Sequence, residues 1–380
     1  MLARLHVSKA LAYCRSFLYL LSYFNAVKFS FNKAPPRPMA ITAMLQDNIR
    51  AKAEPLEKIA PRRLWIQAIL LLVTFLSTTM VGMRYMVNFQ QGKFPIASDS
   101  DVLPFHWAYA NLSHFALGLP FSLTILGILL THEFGHYFAC RQYGIRASMP
   151  YLVPAPSLSG TAGALIRLKT SVPSRSALLA IGAVGPIAGF MVAVVMASIG
   201  LAMSTQVAVE PVKLVSFQPP LLFKLLSALL GPSVHVRLGA PLLWHPILIA
   251  SWVGLLITSL NLLPAGQLDG GHILYALSPR IHRVVTYLMM ALLVYLGITH
   301  WPGWFLWTAV LCLPGMRHPP VHDTAPISKG LLTLAPVTLV ILMLAATPNP
   351  FTRPSLIDRI THLRHYRPLH QMHGVNIDHH

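Results

Sequence analysis

An all-α, polytopic membrane protein of about six transmembrane helices is the fold this sequence predicts, from bilayer-length apolar runs, a shortage of charge, and basic residues confined to the gaps between the runs. Of 380 residues, 54% are hydrophobic and 11% charged, against about 25% charged in a typical soluble domain. The formal charge is +18, from 29 Lys plus Arg against 11 Asp plus Glu. Because these bases interrupt apolar segments and do not cluster on a soluble face, they give no argument for a nucleic-acid partner. Cys14, Cys140 and Cys312 stand far apart with no CxxC pair, which excludes a disulfide scaffold and a thiolate metal cluster.

Residues 1–63 are basic, hold an apolar stretch at 17–24 and have no acid before Asp47. They read either as an organellar transit peptide or as an extra arm, upstream of a start at Met39 or Met44; the arm is preferred, since no small-residue cleavage pattern follows the apolar stretch and serine is sparse. A hydrocarbon core of about 30 Å needs roughly 20 apolar residues per helix. Segments 64–83, 118–140, 177–203 and 245–263 meet that need, 284–298 and 331–346 are shorter candidates, and 304–313 is too short to span alone. The loop 204–244 carries Pro219 and Pro220 and then an apolar LLFKLLSALLGP, which suits either the membrane interface or a folded loop. No loop is long enough for an inserted soluble domain. The expected organisation is a basic arm (1–63), a first span with its non-cytosolic loop (64–116), a core (117–276), additional spans (277–346) and a basic, His-rich tail (347–380).

Orientation follows from the bases beside the spans. Arg50, Lys52, Lys58, Arg62 and Arg63 precede the first span, and Arg141, Arg146, Arg167, Lys169 and Arg175 follow the second with no intervening acid. Both places are expected on the cytosolic side, as is the end of the fourth span, followed by Arg280 and Arg283. Arg84 and Lys93, balanced by Asp99 and Asp101, suit the opposite side.

The acids locate the chemistry. Of the 11, only Glu133 and Asp269 lie in or against apolar spans, where a charge costs on the order of 3 kcal/mol even on lenient insertion scales and usually marks a site. Glu133 belongs to His132-Glu133-Phe134-Gly135-His136, an HExxH pattern at the end of a hydrophobic helix. Helical residues four apart return to one face, so the two imidazoles address a single tetrahedral ion, for which zinc is the expectation. Glu133, beside the first ligand, is placed to take a proton from water acidified there. Two histidines and a water leave one protein position. Asp269 is the candidate, in NLLPAGQLDGGH, where Pro264, Gly266, Gly270 and Gly271 interrupt the helix and let a carboxylate turn inward.

With HEFGH and NLLPAGQLDGG in this order, about 130 residues apart and each at the end of a span, and GAVGPIAGF at 182–190 between them, the chain resembles the site-2 protease family of intramembrane zinc metalloproteases (peptidase family M50) over roughly residues 121–275. The absence of a PDZ insertion makes it resemble the compact EGY-like branch. The resemblance implies a three-helix catalytic core, zinc held by His132, His136 and Asp269, and Glu133 as general base. It also implies that Asn261, eight residues before Asp269, hydrogen-bonds the oxyanion or substrate backbone. Its implied partners are the bilayer, transmembrane protein substrates and an upstream site-1 protease, with the fragments serving regulated intramembrane proteolysis or remnant clearance. The implied place is a bacterial inner membrane, with the site near the cytosolic side. Nothing in the pattern fixes an oligomeric state.

Gly189 stands where family members often have Asn or Ser, so Gly185 and Gly189 read as a small-residue ridge for close helix packing. Residues 147–170, proline-rich on one limb and Gly-rich at 159–163, are expected to form a membrane-associated β-hairpin dipping toward the site, or else a plain linker. A strand edge there would hold an unwound substrate extended. His272 is expected either to orient Asp269 or water, or to face lipid headgroups, and Cys140 to be a buried small hydrophobe. A CAAX-processing HExxH peptidase would need a third-ligand glutamate, for which Glu210 is a poor fit. The alternative from another class is a catalytically silent polytopic scaffold or carrier.

Overall fold

The computed structural model describes residues 61–207, 217–234, 242–313, 318–321, 323 and 325–351, so the basic arm and the His-rich tail lie outside the described residues. The chain divides into two units, 1–69 and 70–380. Of the first unit only residues 61–69, the opening of one helix, are described, and all the other described elements belong to the second.

The described residues are mostly helical: α1 (Pro61–Gln90), α2 (Phe105–Ala110), α3 (Leu119–Gln142), α4 (Arg175–Met203), α5 (Leu221–Val234), α6 (Pro246–Asn261), α7 (Asp269–Leu277), α8 (Pro279–Thr299), α9 (Trp304–Cys312), α10 (Lys329–Leu332) and α11 (Leu334–Ala345). Two small antiparallel sheets join them, β1 (Tyr151–Pro154) with β2 (Thr161–Leu165), and β3 (Thr205–Gln206) with β4 (Leu242–Leu243). Among the described residues, four helical segments are long and apolar enough to cross a membrane: Leu64–Gln90, Leu112–Gln142, Arg175–Met203 and Pro279–Thr299.

The expected segments at 245–263 and 331–346 fall short of that length for identifiable reasons. Helix α6 stops at Asn261 after 16 residues, about 24 Å at 1.5 Å per residue, because the apolar residues that follow it fold into a turn. The last apolar run extends only over Lys329–Ala345, with an interruption at Thr333 between α10 and α11. Conversely, α8 runs from Pro279 to Thr299, beyond both ends of the apolar stretch that suggested it, with Ser278 accepting from the Ile281 amide at its start.

Packing centres on α4, which touches α3, α6, α7 and α11. Ser174 caps it by accepting from Ala177 N at 3.1 Å. Helix α1 and the residue that leads into α3 meet where neither carries a side chain: a Cβ on Gly82 would lie 2.6 Å from Gly118 O, and one on Gly118 2.1 Å from Thr79 O. The hydroxyls inside this apolar layer are satisfied locally, Thr74, Thr78 and Thr79 donating to carbonyls one turn back, while Thr78 Oγ1 and Ser122 Oγ lie 2.6 Å apart across the crossing. Large apolar side chains on the outer faces, among them Leu123, Tyr287, Leu288 and Val340, are exposed, as lipid-facing residues of a membrane protein are.

The β1–β2 hairpin pairs Tyr151 with Leu165, Leu152 with Ala164 and Val153 with Gly163, with an irregularity at Val153/Pro154, and a bridge between Ala147 and Leu168 continues the pairing toward its base. Its turn is fastened to α1: Tyr85 OH donates to Leu158 O at 2.7 Å, and Ser77 Oγ to Gly160 O at 2.6 Å. Gly160 has φ +75° and its Cβ would lie 2.7 Å from Ser77 O, so only glycine fits there.

Next to Tyr85 on α1, Arg84 pairs through Nε with the buried Asp101, which also accepts from Ala97 N at 2.9 Å and Ser98 N at 2.8 Å. Burial pushes its pKa up, but the hydrogen bonds from Arg84 and Ser98 outweigh burial and hold the carboxyl below the ordinary range. A depressed carboxylate contributes stability that is full above its unfolded pKa, about 3.9, and is lost as pH falls through the folded value. The melting temperature in detergent should therefore fall on acidification through this range. Asp101→Asn should flatten that part of the dependence and cost about 1–3 kcal/mol at neutral pH; identical pH profiles for the two proteins would refute the assignment.

Candidate metal centre

Helix α3 carries His132, Glu133 and His136 on its inner side, and all three are buried. Asp269 comes from the opposite end of the core as the first residue of α7, where a helix N-terminus favours a negative charge. The turn that delivers it is built on glycines. Gly266 has φ +58°, a Cβ on Gly270 would lie 2.0 Å from Leu262 O, and one on Gly271 2.5 Å from Gly266 O. The chain leaving α6 thus folds back on its own backbone before α7 begins, which brings the carboxylate inward.

These two elements meet. Asp269 Oδ2 lies 3.1 Å from His132 Nε2 and 3.3 Å from His136 Nε2, and one ligand atom from each residue falls within 4.8 Å of the others. Zinc bonds of about 2.0–2.1 Å at tetrahedral angles place neighbouring ligand atoms about 3.3 Å apart, so the two imidazole–carboxylate distances fit that ion. The donor set of two imidazoles and a carboxylate, with one position left over, also fits it. The His136 Nδ1–H donates to Ile181 O at 2.7 Å, which leaves Nε2 with its lone pair facing Asp269.

The floor of this centre is a glycine row on α4. A Cβ on Gly185 would lie 2.3 Å from His136 Nε2, one on Gly189 2.9 Å from His132 Cβ, and one on Gly182 2.8 Å from Asp269 O; Gly135 on α3 would meet Gly185 Cα at 2.9 Å. The row is thus a close-packing ridge, and it makes room for the imidazoles as well as for the facing backbone.

Glu133 sits in the same turn of α3, and β2, which packs against α3, brings the backbone amide of Ile166, just after it, toward the acid. Asn261 closes α6, half-buried, at the start of the Asp269 turn. Cys140 is fully buried in a small cluster with Ala139, Ile145, Ala177 and Ile181. His272, three residues after Asp269, has its Nδ1 2.9 Å from His318 Nε2, so it is engaged by protein. Sequence reasoning did not single out Ile181, Ile166 or His318. The first two act through backbone groups, which leave no trace in residue type, and His318 lies in no motif.

The Peptidase family M50 model matches residues 120–296, a segment that contains α3, the hairpin, α4, α6, α7 and most of α8. The chain is 34% identical over 240 residues to "Probable zinc metalloprotease EGY1, chloroplastic" of Arabidopsis thaliana, covering 60% of this chain and 43% of that protein. It is 31% identical over 266 residues to "Probable zinc metalloprotease EGY2, chloroplastic" of the same plant, covering 67% and 46%. It is 39% identical over 164 residues to the EGY1 protein of Oryza sativa subsp. japonica, covering 41% and 27%. The chain thus spans less than half the length of these curated relatives. Their names place them in the chloroplast, so they give no support to the expected bacterial inner membrane. No solved structure matches. A buried His-Glu-x-x-His helix, a distant aspartate folded onto it, imidazole–carboxylate distances that suit zinc and these relatives agree on one assignment: residues 120–296 are a segment of peptidase family M50, of the EGY-like kind.

Proposed function

We propose that this chain is an intramembrane zinc metalloendopeptidase that hydrolyses peptide bonds within or beside the transmembrane segments of membrane proteins. One observation carries the reading. Residues His132 and Asp269, 137 positions apart, approach to 3.1 Å beside a buried glutamate in an apolar helix, an arrangement whose cost a bound cation would offset.

In this reading His132, His136 and Asp269 hold zinc. When bound, zinc supplies a Lewis acid for the scissile carbonyl and acidifies water in the site. Glu133 takes the proton from the attacking water and returns it to the amide nitrogen as the C–N bond breaks, so that water is consumed and an acid and an amine are released. Asn261 donates to the oxyanion or the adjacent substrate backbone. We assign residues 117–276 as the catalytic core and 277–346 as additional spans. Helices α6 and α10–α11 complete six membrane segments, and the site faces the side of the basic loops, the cytosolic side. Single-span proteins already shortened by a site-1 protease are the substrates, in regulated proteolysis or remnant clearance.

The hairpin serves in this reading as the substrate's docking edge. A transmembrane helix hides its amides in its own hydrogen bonds and must unwind before attack, and an added strand satisfies the exposed groups. Two contacts support this: the amide of Ile166 beside Glu133, and the fastening of the turn to Ser77 and Tyr85, which lie within the span Leu64–Gln90 and so at membrane depth.

The full chain, purified in detergent, should contain one zinc and cleave members of a panel of single-span substrates. Glu133→Gln should keep the zinc and lose about 10²–10⁴-fold in rate. Equal cleavage by the variant would remove Glu133 from the mechanism, and absence of both zinc and cleavage would favour the silent scaffold. Tyr85→Phe removes one hydroxyl but keeps the ring against Phe121, 5.5 Å between centroids. It should raise KM for a single-span substrate about threefold to tenfold with kcat and zinc content unchanged; an unchanged KM would argue against the docking edge.

A further inference from the structure

Helix α7 begins at Asp269, and the next side chains along its face grip a residue from far along the chain. His318 Nδ1 lies 2.8 Å from Pro319 O and its Nε2 2.9 Å from His272 Nδ1. A carbonyl oxygen can only accept, so His318 carries its proton on Nδ1 and presents a bare Nε2, to which His272 must donate from Nδ1. The Pro319 carbonyl thereby sets both tautomers in series. One turn on, Tyr275 stacks on the same ring at 3.7 Å and 10°, and His282 meets its edge at 5.7 Å. Val321 and Ile327, a few residues beyond His318, pack beside Tyr275 against Leu178, Leu179 and Ala276.

The other side of α7 is closed by α4, where a Cβ on Gly182 would lie 2.8 Å from Asp269 O and 3.1 Å from His272 Cβ. The first turn of α7 is thus held between α4 and His318. A rotation of about 10° would carry a carboxylate about 5 Å from the helix axis through roughly 0.9 Å, several times the ±0.2 Å or so within which zinc–ligand distances are expected. We infer that His318, which lies beyond the segment matched by the family model, is a positioning residue: by hydrogen-bonding His272 and stacking on Tyr275 it fixes the rotation of α7 and so tightens the grip of Asp269 on zinc. This rests on the reading of Asp269 as the third zinc ligand.

The test is zinc affinity of the full chain in detergent, by competition with a chromophoric chelator, together with the melting temperature of the zinc-free protein. His318→Phe keeps a ring for Tyr275 but cannot accept from His272; it should weaken zinc binding about 10-fold to 100-fold and leave the zinc-free melting temperature unchanged. His318→Gln, whose side-chain oxygen can accept from His272, should recover affinity to within about threefold of wild type. Equal affinity of wild type and His318→Phe would overturn the inference. So would a zinc-free melting temperature lowered alike in both variants, which would mark a packing role alone. If Asp269→Asn binds zinc as tightly as wild type, the ligand reading itself fails and the inference falls with it.

Discussion

A carboxylate set against two imidazoles inside a layer of apolar helices is the arrangement on which the rest of the molecule depends. Removing such groups from water costs several kcal/mol per charge, which their mutual attraction repays only when the geometry is close and the remaining lone pairs are engaged. The fold meets those terms in specific ways. The Nδ1 of His136 is taken by the Ile181 carbonyl, Asp269 begins a helix, and an amide of the hairpin meets Glu133. Each of these is a backbone group, so the candidate metal centre is held by the fold and not only by the side chains of His132, His136 and Asp269.

The same demand explains where glycine appears. Space for two imidazoles between α3 and α4 exists only because positions 185 and 189 lack side chains, and the turn into Asp269 closes only because positions 270 and 271 do. The glycines of the two motifs are thus complementary halves of one steric solution: α4 yields room, and the turn after α6 brings a charge into it. Membrane helices associate through such close approaches, since lipid offers no hydrophobic drive to bring them together.

Much of this was legible in the sequence, for reasons that also mark the limit. The HExxH spacing and the isolation of Glu133 and Asp269 among apolar residues carry their meaning locally, because charge at membrane depth is expensive wherever it occurs. Gly185 and Gly189 signalled close packing through their spacing alone. The end of α6 was not legible, since Leu262 and Leu263 are as apolar in a turn as in a helix and hydropathy cannot separate the two. The extra first turn of α8 was hidden for the converse reason: the polar start at 279–283 carries the helix ahead of the apolar stretch that reveals it. Contacts such as Tyr85 with Leu158 and His272 with His318 pair residues 73 and 46 positions apart and follow from the folded path only.

The glycine row of α4 has a mechanical consequence. A surface with no side chains has no rotamers with which to absorb a shift, so sliding or rolling α4 by a fraction of an ångström would be felt at once by both imidazoles. The central helix must then keep its register with α3, and any give in the core falls to elements whose side chains can change rotamer. Two hydroxyl-to-carbonyl links tie the hairpin turn to α1, so the position of one sets that of the other.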